Sequence, residues 1–167
     1  MSIRMAVFPI LTCFLCGKAF AAPAAGEYAK HLAALKGLSV AVAEAMPSEH
    51  WAYKPHPESM NFGALMMHIA TTNYQFCAGL KDSAPPALGA VTNRNGIIKA
   101  LSDSFDYCSG VIDQLSNGEL DAVHNSPDGR LPGREVLLAM YIHVAHHRGQ
   151  AEIYLRTNGI KPPGYRI

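Results

Sequence analysis

Residues 137–150 place three histidines, His143, His146 and His147, within or beside a strongly apolar segment of helical length. On a helix, residues four apart lie one above the other on the same face. His143 and His147 therefore point the same way, and two imidazoles so placed can share one metal ion. His146, three residues from His143, competes for that place. The i,i+4 pair is the closer angular match, offset by about 40° against about 60° for i,i+3. His143 and His147 are thus the expected ligands, and His146 is expected on the flank of the helix, beside the ligands or at the surface. Two ligands hold a metal weakly, so the rest of the chain has to supply a third.

The third ligand depends on what else is helical. In residues 26–46, Leu32, Leu35, Leu38, Val42 and Met46 recur at three- and four-residue spacing, which predicts a first amphipathic helix. Pro47 ends it, and Pro55 and Pro57 make residues 49–57 an extended connection. Asn61 is a good N-cap for a second helix over residues 61–80, with His68 near its middle between Met67 and Ile69. Pro85, Pro86 and Gly89 mark a loop. A third helix is expected from Thr92 or Asn93 through Ile97, Leu101, Phe105, Cys108, Ile112 and Leu115, stopped by Asn117 and Gly118. Residues 125–129 form a dense turn cluster. Pro132 suits the first turn of a fourth helix that carries the histidines to about Thr157, with Gly159 at its left-handed C-cap. No segment shows sustained strand alternation. The expected fold is all-α, a four-helix bundle.

The chain's beginning is read separately. Arg4 precedes an almost wholly apolar run over residues 5–16, and Ala19-Phe20-Ala21 has the small-x-small form of a signal-peptidase site. Residues 1–21 are expected to be a cleavable signal peptide and residues 22–167 the bundle domain. The run is shorter than the roughly 20 residues of a membrane span, so no stable membrane insertion is expected after cleavage. Export implies an oxidising compartment, the periplasm in a Gram-negative cell. Cys13 and Cys16 leave with the signal, and their C-x-x-C spacing carries no redox meaning in such a segment. Cys77 and Cys108 remain, either as one disulfide or as two buried thiols. Fourteen basic against thirteen acidic side chains, without a clustered basic stretch, exclude a nucleic-acid partner.

Metal sites in bundles are built from side chains that project inward from facing helices. His68 lies in an apolar helical context outside the fourth helix, and with His143 and His147 it completes a set of three imidazoles. His31, His50, His56 and His124 fall at helix edges or in loops and are expected at the surface. Three histidines leave a coordination position open, the arrangement of catalytic rather than structural zinc. Gln150, one turn beyond His147, is a weak candidate for contacting a ligand, with Asn73 and Glu152 as weaker supporting candidates. Met60, Met66, Met67 and Met140 read as core filler.

These motifs together resemble the DinB-like superfamily, including its YfiT-like metal-binding members. The resemblance rests on Met46-Pro47-Ser48-Glu49, Tyr53-Lys54-Pro55-x-Pro57-Glu58, Phe62-Gly63-x-Leu65 before His68-Ile69-Ala70, and Asn73-Tyr74-x-Phe76-Cys77. It continues through His143-x-x-His146-His147-Arg148-Gly149-Gln150 and Tyr154-Leu155-Arg156-x-x-Gly159-Ile160-x-Pro162-Pro163. It implies a divalent metal, zinc first and nickel, manganese or iron as alternatives, on His68, His143 and His147. It further implies a hydrolase or a thiol S-transferase acting on a small molecule or thiol, since relatives include thiol S-transferases and a thiol-dependent maleylpyruvate isomerase. A homodimer is a further expectation. The contrasting expectation is a non-catalytic bundle that binds a metal or a small ligand.

Overall fold

The computed structural model describes residues 25–165. The proposed signal peptide, residues 1–21, lies outside them. Four long helices dominate: α1 (Ala25–Ala45), α2 (Phe62–Gly79), α3 (Arg94–Ile112) and α5 (Gly133–Thr157). A short helix α4 (Asn117–Asp121) and a two-stranded hairpin, β1 (Val123–Ser126) with β2 (Gly129–Pro132), separate α3 from α5. The long helices close a ring around one core: α2 packs against α3 and α5, and α1 completes it against the same two neighbours. Leu32, Met46, Phe62, Leu65, Ile69, Phe76, Leu101, Phe105 and Ile112 are almost fully removed from water there. That burial is the main stabilising term. Among the described residues no helix is long and apolar enough to cross a membrane.

Local signals set most helix ends. Asn61 accepts a hydrogen bond from the amide of Ala64 at 2.7 Å, and Asn93 does the same for Gly96 at 2.8 Å. Each satisfies an amide that the first turn leaves unpaired. At the far end of α5, Gly159 adopts φ +72°. Its amide donates to Arg156 and that of Ile160 to Leu155, which closes a Schellman motif.

The chain departs from the expected pattern in three places. The connection after α1 is not wholly extended: Ser48–His50 is a 3₁₀ turn. It leads into Trp51, whose indole donates to the Met46 carbonyl at 3.0 Å while its ring packs edge-on against Phe62. Secondly, Asn117 begins α4 instead of stopping α3. Ser116 and Glu119 form a reciprocal capping box there, a local signal strong enough to start a helix of a single turn. Thirdly, the fold is not purely helical. The turn cluster is the tip of the hairpin, in which Ser126 faces Gly129. The strands, Val123–Ser126 and Gly129–Pro132, do not alternate apolar and polar residues, and Pro132 ends β2 and precedes α5 instead of lying inside its first turn. The hairpin seats so tightly against α2 that a Cβ on Gly79 would lie 2.0 Å from the Asn125 carbonyl oxygen.

His124 corrects another expectation. It is buried on β1, with Nε2 donating to the Glu119 carbonyl at 2.7 Å. The hairpin folds it inward, which its loop-like sequence context did not reveal. Cys77 and Cys108 form a disulfide between α2 and α3, with Cα atoms 5.4 Å apart.

Candidate metal centre

α2 and α5 lie side by side, and His68 sits midway along α2. Its turn is held by the Thr72 hydroxyl, which donates to the His68 carbonyl at 2.8 Å. On α5, Met140, Val144, Ala151 and Leu155 are buried against the core. The neighbouring stripe, with His143 and His147, is thereby turned toward α2, and Phe76 packs against the His143 ring.

The three histidines meet through the same ring atom. Nε2 of His68 lies 3.0 Å from Nε2 of His143 and 3.1 Å from Nε2 of His147. All three side chains are half-buried, and they form the group of potential ligands found among the described residues. His146, exposed on the flank, stays outside it.

Hydrogen bonding fixes which nitrogen of His147 is free. Its Nδ1 lies 2.8 Å from Oε1 of Gln150, an oxygen that can only accept. Nδ1 therefore carries the proton, and the Nε2 lone pair faces the other two rings. The amide nitrogen of Gln150 donates to Nε2 of His146 at 3.0 Å. Gln150 thus spans two histidines one turn back, and orients a candidate ligand instead of pointing at a substrate. The i+3 and i+4 spacing from His147 and His146 was the available signal for that role. Asn73 is fully buried and bonded to Ser104, and Glu152 pairs with Arg148 and Arg156. Both are engaged in contacts other than the three imidazoles.

Electrostatics favour the neutral form of two of the imidazoles, His143 and His147. Burial, reinforced by the neighbouring His147, His68 and His146, pushes the His143 imidazole down to about 4. Burial also lowers His147, opposed by its hydrogen bond to Gln150. Neutral imidazole is the form that binds a metal.

The donor set fits a divalent ion. With His147 presenting a lone pair, a single proton on Nε2 of His68 would have to divide itself between two acceptors, whereas a cation takes all three lone pairs. Nδ1 of His143 is buried without a hydrogen-bond partner, so this ring's polar contact is made through Nε2 alone. Tetrahedral zinc with bonds of about 2.05 Å separates its ligand atoms by about 3.3 Å. The two edges that run from His68, 3.0 and 3.1 Å, are within a few tenths of an ångström of that.

A cleft of about 400 Å³ opens beside His147. Its walls are Gln150, Ile153 and Tyr154 of α5 and the segment 55–60, with Leu65 at its floor. Met60, expected in the core, lies in that wall and is 39% exposed. The wall was not legible in the sequence, because it forms only when the segment between α1 and α2 folds onto α5. The Tyr154 hydroxyl holds it there, donating to the Met60 carbonyl at 2.8 Å.

Comparison with known proteins agrees with this architecture. The YjoA protein of Bacillus subtilis (strain 168) is 25% identical over 138 residues, covering 80% of this chain and 90% of its own. The crystal structure of that DinB-like protein superposes with a TM-score of 0.72 at 24% identity, covering 84% of this chain and 98% of its own. A DinB-like protein from Bacillus cereus gives a TM-score of 0.74 at 15% identity over 84% of this chain and 97% of its own. A conserved protein from Enterococcus faecalis gives 0.60 at 16% identity, with 81% and 97% covered. The model of the DinB superfamily matches residues 27–151, and the chain belongs to that superfamily.

Proposed function

We propose that this protein is an exported, divalent-metal-dependent enzyme with the four-helix bundle of its superfamily, acting as a hydrolase or thiol S-transferase on a small molecule. The observation that carries this reading is the convergence of three Nε2 atoms, 3.0 and 3.1 Å apart, beside an open cleft. His68, His143 and His147 hold the metal, zinc in the first instance. When bound, the ion supplies Lewis acidity to the oxygen or sulfur group that the cleft presents to it.

The chain's own residues do the rest. Gln150 keeps the proton on Nδ1 of His147 and so aims its Nε2 inward. Burial holds His143 in its neutral form at physiological pH. Three protein ligands would leave a coordination position for water or substrate, and a cleft lined by His147 lies beside them, which favours a reactive centre over a closed structural one. The disulfide between Cys77 and Cys108 supports an oxidising compartment, consistent with the reading of residues 1–21 as an export signal.

Metal analysis of purified protein tests the reading. The expected result is one equivalent of divalent metal in the wild type and its loss in His143→Ala and His147→Ala with helicity retained. A wild type that holds no stoichiometric metal after repletion would overturn it.

A further inference from the structure

The cleft beside His147 has an uneven chemistry. Pro55, Met60, Leu65 and Ile153 give it apolar walls; among the described residues Glu58 is the single formal charge in its lining, and no lysine or arginine lines it. At about 400 Å³ it is at the small end of cavities that hold small molecules. A second cavity of similar size, between α1 and α5, is lined by Leu35, Leu38, Leu138 and Ile142 and by none of the three histidines. Of the two, the cleft is the one that a histidine of the metal centre, His147, lines.

The wall that carries Glu58 is built, not loose. The Ser59 amide donates to the His56 carbonyl at 3.0 Å, the Glu58 amide approaches Nδ1 of His56 at 3.3 Å, and Tyr154 anchors Met60. Among the described residues the Glu58 carboxylate has His56 as its one charged neighbour, 3.8 Å from Nδ1, and its side chain is 91% exposed. It is thus available to a ligand. A ligand in this cleft lies against His147, beside the cation that the three imidazoles would hold, which favours a lone pair or negative charge. It also meets the Glu58 carboxylate, which favours a positive charge.

We propose that this cleft is the substrate subsite of the three-histidine centre, and that Glu58 makes it select small molecules whose tail carries a cationic amine over those with an anionic tail. The inference rests on the metal-binding reading above. Glu58 acts as a specificity-determining residue, and its screened position sets the size of the effect at about two- to fivefold in affinity.

The test uses cobalt-loaded protein and three probes that differ only in their tails: aminopropanethiol, propanethiol and mercaptopropionate. Affinities are read at pH 8 from the sulfur-to-cobalt charge-transfer absorption. Comparing wild type with Glu58→Gln cancels the intrinsic thiol acidities. The expected result is that E58Q weakens aminopropanethiol by about two- to fivefold relative to propanethiol and strengthens mercaptopropionate, while metal stoichiometry and helicity stay unchanged. Equal affinity ratios in both proteins, or a shift of the opposite sign, would overturn the proposal and leave the metal centre standing. Absence of bound cobalt would instead remove the metal reading, and this proposal with it. Cobalt bound without a charge-transfer band for any probe would overturn the subsite alone.

Discussion

Oε1 of Gln150 accepts a hydrogen bond from Nδ1 of His147 across 2.8 Å, while the amide nitrogen of the same side chain donates to Nε2 of His146. One glutamine thereby determines which His147 nitrogen faces His68. Gln150→Ala is expected to keep the fold and lower metal affinity about tenfold, in the usual range for a residue that orients a ligand. Competition with a fluorescent chelator measures it, and an unchanged affinity would show that the hydrogen bond does not position the ring.

The two ways of pairing histidines along α5 predict different outcomes. His147→Ala and His68→Ala should each abolish stoichiometric metal binding, because two imidazoles make a weak site. His146→Ala should retain it, since His146 lies outside the group of converging Nε2 atoms. Loss of metal in the His146 variant would move the ligand set by one residue.

Metal-free protein should become less stable as the medium is acidified. The folded-state value of His143 lies at about 4, below its ordinary 6.5, and His147 is lowered as well. The unfolded chain therefore binds protons first, and stability present above pH 6.5 is lost as the pH falls toward 4. Both rings are half-exposed, so the expected loss is about 1 kcal/mol. Urea titrations at several pH values report it, and His143→Gln should flatten the slope between pH 6.5 and 4.

Cys77 and Cys108 are both fully buried, and their disulfide closes a loop spanning 31 positions. A double substitution to alanine should cost about 3–4 kcal/mol on the chain-entropy account. In the folded protein neither sulfur should react with a thiol reagent before denaturation with reductant. A free thiol titrated in the native state would refute the bridge.

Gly79→Ala tests how the hairpin is held. The added methyl would lie 2.0 Å from the Asn125 carbonyl oxygen, a backbone atom that cannot turn aside. Displacement of β1 and a loss of about 2 kcal/mol or more in stability are expected. Thermal unfolding measures the loss, and amide exchange at residues 123–132 localises it.

The helices and their caps were readable from sequence because they depend on neighbours within four residues. Leu32, Leu35 and Val42, or Asn61 with Ala64, report an amphipathic period or an N-cap without knowledge of the fold. The pairing of His143 with His147 was readable for the same reason. Their distance to His68, 75 and 79 positions away, was legible only as an expectation about which helices face each other. The hairpin was not legible because neither strand alternates apolar and polar residues, and with it the burial of His124.

What the sequence by itself determined was four amphipathic helices, most of their ends, and three histidines of the right kind on two of them. Tertiary structure alone decided that all three Nε2 atoms meet, that Gln150 turns back to His147, and that residues 55–60 fold onto α5 to make a cleft carrying Glu58. Periodicity and capping are properties of a few adjacent residues. A site is a property of surfaces brought together by burying a core, and no local signal encodes the distance between them.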